Sequence, residues 1–226
     1  WRTPLEGTAW SSPILVRDQV VVTNARTLND GKSLDLEVIF LSELTGEITL
    51  RNSLFTYPDL PRIHRKNSYA SPTPFFDGEF IFVHYGNMGT ACLNTEGKTL
   101  WKKVFDYSPV HGSGCSPLVH DNLLIFSADG ASDPSIYGIN KKNGNVLWKT
   151  TRTSKTKKNF SFCTPLVVPR GSVMQIISPA SEFVFSYSLE GKEIWKFNYP
   201  GGYSVVPRPV FADGIVFVSS GYDRPT

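Results

Sequence analysis

The sequence is poor in the features that mark metal knuckles, disulfide scaffolds and membrane spans. Its three cysteines, Cys92, Cys115 and Cys163, lie far apart in 226 residues. That spacing excludes a CxxC knuckle and a dense disulfide framework. An odd count leaves at least one thiol free unless it pairs between chains, so cysteine usage assigns no redox compartment. No apolar run approaches the ~20 residues that a membrane-spanning helix needs. Neither sign of charge dominates: 23 Lys+Arg against 20 Asp+Glu give a net charge of +3, too weak a field to point to nucleic acid. Trp1-Arg2-Thr3-Pro4 has neither a Met nor the apolar core of a signal peptide. Methionine is almost missing, at two residues, whereas 18 Gly, 16 Pro and 15 Phe favour turns and strands over helices. A hydrophobic fraction of 40% is enough for a sizeable core and excludes intrinsic disorder.

What is present is a repeat. The segments Leu44-Thr45-Gly46-Glu47-Ile48-Thr49-Leu50, Thr95-Glu96-Gly97-Lys98-Thr99-Leu100-Trp101, Lys142-Asn143-Gly144-Asn145-Val146-Leu147-Trp148 and Leu189-Glu190-Gly191-Lys192-Glu193-Ile194-Trp195 share one pattern. Their glycines are 51, 47 and 47 residues apart, and Trp (Leu50 in the first copy) follows each glycine by four positions. A short apolar strand precedes each copy, so each reads as strand, tight turn, strand. The glycine supplies the positive φ of a hairpin turn with a bulge. Between these copies stand Ser12-Pro13, Thr73-Pro74, Ser116-Pro117, Thr164-Pro165 and Arg208-Pro209. Each leads through a few apolar residues and a turn into a strongly apolar strand, such as Phe80-Ile81-Phe82-Val83. Proline fits a strand start, where its missing N–H costs little.

Each repeat therefore holds four antiparallel strands, A to D, in ~45 residues, the size of one propeller blade. The expected fold is all-β, a β-propeller with blades at about residues 11–55, 68–107, 112–153 and 159–199 and a partial blade at 204–226. Many strands are apolar on both faces, as stacked blades require. A two-sheet sandwich is the competing architecture, and a fixed period with a repeated Gly-x-x-x-Trp argues against it. Trp1-Arg2-Thr3 resembles Trp148-Lys149-Thr150 and reads as the end of an earlier blade. Four complete blades with partial ones at either end predict a piece of a larger ring. The remaining blades would come from elsewhere in the polypeptide or from another subunit.

The strand-turn-strand copies, Ala91-Cys92-Leu93-Asn94-Thr95-Glu96-Gly97-Lys98-Thr99-Leu100-Trp101 above all, resemble the repeat of the pyrroloquinoline-quinone (PQQ) propeller family. Asn67-Ser68-Tyr69-Ala70-Ser71-Pro72-Thr73-Pro74, His111-Gly112-Ser113-Gly114 and Gly202 to Pro209 strengthen the likeness to a bacterial PQQ-like group. The resemblance implies a ring of seven or eight blades and a periplasmic or extracellular location. Its members include quinoprotein dehydrogenases and an outer-membrane assembly lipoprotein that binds partners. The repeat specifies fold rather than activity, because its Gly and Trp serve turns and packing.

Binding residues concentrate on loops held by a rigid scaffold. An up-down blade puts A–B and C–D turns at one rim and the longer B–C and D–A loops at the other. The candidates on the second rim are His64, Asn67, His84, His111, Asp129, Tyr203, Arg208 and Asp223. Three histidines near one rim could ligate a metal or act as acid and base, but no HxH or HExxH spacing ties them together, and hydrogen-bonded loop residues are the plainer reading. Asp129, Asp133 and Asp223 could offer oxygens to calcium, yet no DxDxDG loop contains them and turn formation accounts for them. Gly112-Ser113-Gly114 precedes a strand, not the helix N-terminus that a phosphate cradle needs. Arg152, Lys155, Lys157 and Lys158 read as a solvated basic loop, with an anionic ligand or partner as the sharper alternative.

In the dehydrogenases that the repeat resembles, the quinone rests against a disulfide between neighbouring cysteines and a Trp, near a calcium ion. No two cysteines are adjacent here, so no cofactor ligand is carried over. No cofactor is evident, and PQQ with calcium belongs only to the dehydrogenase alternative. The expected function is a non-catalytic scaffold that binds a protein or small molecule. A PQQ-dependent oxidoreductase and a sensor domain of a signalling protein are the alternatives.

Overall fold

The computed structural model describes residues 1–153, 156 and 158–220. The first sheet contains β1 (Ile14–Val16), β2 (Gln19–Thr27), β3 (Leu34–Ser42) and β4 (Ile48–Tyr57). The second contains β5 (Phe75–Phe76), β6 (Ile81–His84), β7 (Thr90–Leu93) and β8 (Thr99–Lys103). The third contains β9 (Leu118–His120), β10 (Leu123–Ala128), β11 (Ser135–Asn140) and β12 (Val146–Thr151). The fourth contains β13 (Leu166–Arg170), β14 (Val173–Pro179), β15 (Phe183–Tyr187) and β16 (Glu193–Asn198). A hairpin of β17 (Val210–Ala212) and β18 (Ile215–Phe217) completes the described strands. All pairings are between sequence neighbours and antiparallel, so each four-stranded sheet is an A–B–C–D meander, the blade of a propeller.

The chain divides into two compact units, Trp1–Phe105 with His111–Pro117, and Asp106–Val110 with Leu118–Thr226. In the first unit the core lies between two sheets: Val21, Val38, Phe40 and Leu54 of one pack with Ile81, Val83, Ala91 and Leu93 of the other. Burial on both faces of the middle strands explains why β3, β6, β7, β10 and β11 read as near-continuous apolar runs. The outer D strands instead alternate or face solvent, as in β12 and β16.

The repeated glycine has two structural duties. It lies at positive φ in the C–D turn, and the preceding sheet's aromatic or leucine presses on its face. A Cβ on Gly97 would stand 2.2 Å from Leu50 Cδ2, and one on Gly46 2.3 Å from the Trp1 ring. In the second unit a Cβ on Gly191 would stand 2.4 Å from Trp148 Cδ2. The pairing of every C and D strand slips by one residue just before the Trp position, as between Cys92 and Leu93 or Gly138 and Ile139. At Trp148 this bulge accompanies an indole laid on the following sheet's turn. The tryptophans are less uniformly covered than interleaved core residues: Trp101 is buried, whereas Trp148 and Trp195 are half-buried. An indole lying on a turn keeps its outer edge in water.

Two further devices join neighbouring sheets. At two of the strand A prolines the hydroxyl of the preceding Ser/Thr accepts a backbone N–H from the equivalent place one repeat earlier. Ser12 N donates to Thr73 Oγ1 at 3.1 Å, and Thr73 N to Ser116 Oγ at 2.9 Å. The residue two after the Trp position reaches the next turn: Thr3 and Thr150 hydroxyls donate to the carbonyls of Gly46 and Gly191, and the Asn52 amide to Gly97 O.

Candidate binding cleft

A meander places the A–B and C–D turns at one end of each sheet and the B–C and D–A connections at the other. In the first unit an open cleft of about 460 Å³ lies at the second end. The end of β2 supplies Arg26 and Thr27, its connection to β3 supplies Asn29, and the loop after β4 supplies Ile63, Asn67 and Tyr69. Two acids on β3 support this wall. Asp35 and Glu37 are buried at 4% and 2% exposure, although they interrupt an apolar strand. Glu37 accepts from Arg51 at 2.7 Å and from the Asn24 amide at 2.6 Å, while Asp35 pairs with Arg26 at 3.4 Å. Full pairing is what makes burial of such charges tolerable. The sequence signal was the alternation Asp35-Leu36-Glu37 opposite Asn24 and Arg26, which puts polar groups on one face of a paired strand.

Asn67 lines the cleft with its side-chain hydrogen-bonding capacity already committed. Its amide donates to His111 O at 2.9 Å and Ser113 O at 3.2 Å, and its oxygen accepts from Ser68 N at 2.9 Å and Ser71 Oγ at 2.6 Å. It ties the two D–A loops of the first unit together. His64 and His111 meet there edge to face, with ring centres 5.0 Å apart. His64 is exposed and accepts Lys66 N at Nδ1. Partial burial, and secondarily the neighbouring His64, lowers the His111 pKa.

His84 has a different environment. It is fully buried, its Nδ1 lies 2.8 Å from Thr90 Oγ1, and burial pulls its pKa down to about 3. It is a neutral core group at any ordinary pH. The candidate three-histidine grouping is therefore one exposed and one half-buried ring in contact, with the third in the interior.

Asp129 and Arg152 belong to the second unit. Arg152 is 3% exposed, which overturns its reading as part of a solvated basic loop. Its guanidinium lies 3.1 Å from Asp129 Oδ1, donates to Ser127 Oγ and Ser178 Oγ at 2.9 and 2.7 Å, and covers the Phe185 ring. Burial raises the Asp129 pKa, and Arg152 and Ser161 oppose that rise. Asp133 is paired with Lys149. Tyr203 is half-buried beneath Lys158 Nζ, 3.8 Å from its ring centre, and Arg208 is exposed. Asp223, Lys155 and Lys157 lie outside the described residues. A second, more open cleft of about 380 Å³ occupies the C–D end of the second unit, beside Leu147, Trp148 and Leu189.

A PQQ-repeat family profile, described as outer membrane protein assembly factor BamB, matches residues 38–225. The chain belongs to this family. Solved structures agree on the fold. BamB from Moraxella catarrhalis superposes with a TM-score of 0.60 at 10% identity, over 92% of this chain and 57% of its own. Quinohemoprotein alcohol dehydrogenase from Comamonas testosteroni gives 0.58 at 11% identity, over 93% and 39%. A europium-containing methanol dehydrogenase gives 0.56 at 12%, over 85% and 42%. The chain thus spans little more than half the length of the BamB structure and less of the dehydrogenases. No curated protein sequence matches it. No helix among the described residues is long and apolar enough to cross a membrane.

Cys92, Cys115 and Cys163 are buried single thiols, and no three His, Cys, Asp or Glu side chains converge among the described residues.

Proposed function

We propose that this chain is a non-catalytic binding module that holds a protein partner outside the cytoplasm, using the B–C/D–A end of its blades. The observation that carries this reading is the commitment of its chemistry-bearing side chains to internal pairs, while the first unit presents an open surface cleft. Asp129 is locked to Arg152 and Ser161, and His84 is neutral and sealed beside Thr90. The cleft in the first unit instead offers hydroxyls, the Asn29 amide, the Glu6 carboxylate and the Arg26 guanidinium around an aliphatic wall. That composition recognises a polypeptide surface without demanding a reaction. Membership of the BamB family and the BamB-like fold support the same reading.

Benzoylphenylalanine placed at Asn29, on the cleft, and at Lys142, at the opposite end of another sheet, tests it in producing cells. Both side chains are exposed. Light-dependent coupling of the Asn29 variant to a discrete protein, without coupling from Lys142, is the expected result. Stoichiometric uptake of PQQ with calcium, seen as a shifted quinone absorption spectrum, together with no coupling from Asn29 overturns the proposal in favour of an oxidoreductase.

A further inference from the structure

The Asp129–Arg152 pair lies where three connections of the second unit meet. Asp129 directly follows β10, Arg152 directly follows β12, and Asn159 is on the loop that leads to β13. Most of the pair's hydrogen-bonding capacity is used. Ser161 Oγ donates to Asp129 Oδ2, and the terminal nitrogens of Arg152 donate to Ser127 and Ser178. The remaining two atoms, Arg152 Nε and Asp129 Oδ1, are 3.1 Å apart but out of hydrogen-bond alignment. Neither has a hydrogen-bond partner among the described residues, and the same is true of the buried Asn159 Oδ1. All three residues line one small cavity of about 10 Å³, together with Pro134, Ala180 and Phe185.

We propose that this cavity is a binding site for one water molecule, held by Arg152 Nε, Asp129 Oδ1 and Asn159 Oδ1. Size sets the first limit: about 10–15 Å³ of probe-occupied volume is what a single water requires, and nothing larger fits. Valence sets the second. The site presents two acceptors and one N–H donor, and water donates twice while accepting once. An ammonium ion has no lone pair for the Arg152 N–H. A metal cation would lie against a guanidinium, and an anion would face two oxygens. A neutral molecule that both donates and accepts is the one class that satisfies all three atoms. The water completes the hydrogen bonding of a buried ion pair. It thereby fixes the loop before β13 against the ends of β10 and β12. Buried polar groups in folded proteins are satisfied in this way when protein partners do not reach them.

A crystal structure of the full chain, at a resolution where ordered water is visible, tests the site directly. The expected result is one density peak within hydrogen-bond distance of the three atoms. Its absence while other buried waters are visible overturns the proposal, as does an Asn159 amide turned to donate directly to Asp129. Ala180→Val supplies a second readout by pushing a methyl group into the cavity. Expelling a triply bonded water leaves three polar atoms unpaired, so the thermal midpoint should fall by about 4 °C or more. A rise in the midpoint would show that the methyl group filled unhydrated space, and the site would not be a water site.

Discussion

The indole of Trp148 lies directly on the backbone of Gly191, one repeat later, and donates its Nε1–H to Leu189 O at 2.9 Å. Gly191 has φ +82°, so it is held both by its own turn and by its neighbour's ring. Gly171, also at positive φ (+62°), has nothing within 4 Å of a built Cβ. Alanine at either position incurs the left-handed backbone cost of about 1–2 kcal/mol. Only at Gly191 must the indole also move, which should bring the loss to about 3–4 kcal/mol. Urea unfolding of the two variants separates the terms. Equal losses would mean that the glycine serves the turn alone.

Arg152 and Asp129 make a sharper case for charge. Replacing Arg152 by Met leaves a buried carboxylate without its cation and should cost about 3–5 kcal/mol at pH 7. A second change, Asp129→Leu, should recover most of it. The sign of the pH dependence follows from the raised Asp129 pKa. The folded state holds that proton more tightly than the unfolded chain, so stability falls as pH rises from the ordinary carboxylate value to the folded one. Without Arg152 opposing the rise, the fall should become larger and extend to higher pH. Denaturant midpoints of the Arg152→Met variant across pH 4–8 check this. A flat profile would show that the carboxylate escapes to water.

His84 should dominate acid sensitivity. Its pKa falls from the usual 6.5 to about 3 because the interior offers Thr90 as a hydrogen-bond partner but no solvation for a positive charge. The unfolded chain takes up the proton first. Stability is therefore full above pH 6.5 and is lost progressively as pH falls toward 3, by about 5 kcal/mol for the whole shift. His84→Gln should flatten the profile in that window, whatever it does to stability at neutral pH. An unchanged slope between pH 6.5 and 4 would assign the acid transition to other groups.

The sheets were legible because their signals are local. Gly97 and Trp101 recur at a fixed spacing, and Thr73-Pro74 announces the strand that begins at Phe75. What joins the sheets was not legible, because a partner 40 or more residues away leaves no mark in one repeat. Ser12-Pro13 and Thr73-Pro74 read as strand starts, and only the folded chain reveals the hydroxyl of Thr73 as a staple for Ser12. A basic residue follows each Trp position (Arg51, Lys102, Lys149, Lys196). Its meaning needed coordinates, which place Lys102 over Phe55, Lys149 over Tyr137 and Lys196 over Phe183. Arg152 misled for the same reason: a cluster of cations reads as solvated until a buried Asp129 is found beside one of them.

At the cleft, position and chemistry divide between neighbouring residues. His64 carries the titratable ring, yet it is exposed and its Nδ1 accepts the neighbouring Lys66 amide. Asn67 carries no charge, yet its side chain binds two carbonyls of the facing loop, at His111 and Ser113. His64→Ala should therefore change stability by no more than about 0.5 kcal/mol, as for an ordinary surface substitution. Asn67→Ala should cost about 1–3 kcal/mol by leaving partly buried carbonyls unpaired. Loss of that clasp should also speed hydrogen exchange at the His64 and Asn67 amides, whose acceptors are His111 O and His64 O. If the cleft holds the partner, Asn67→Ala should weaken light-driven coupling from Asn29 while His64→Ala leaves it intact. The reverse order, with His64 decisive and Asn67 silent, would make the imidazole itself the recognition group and relocate the site from the cleft wall to its exposed edge.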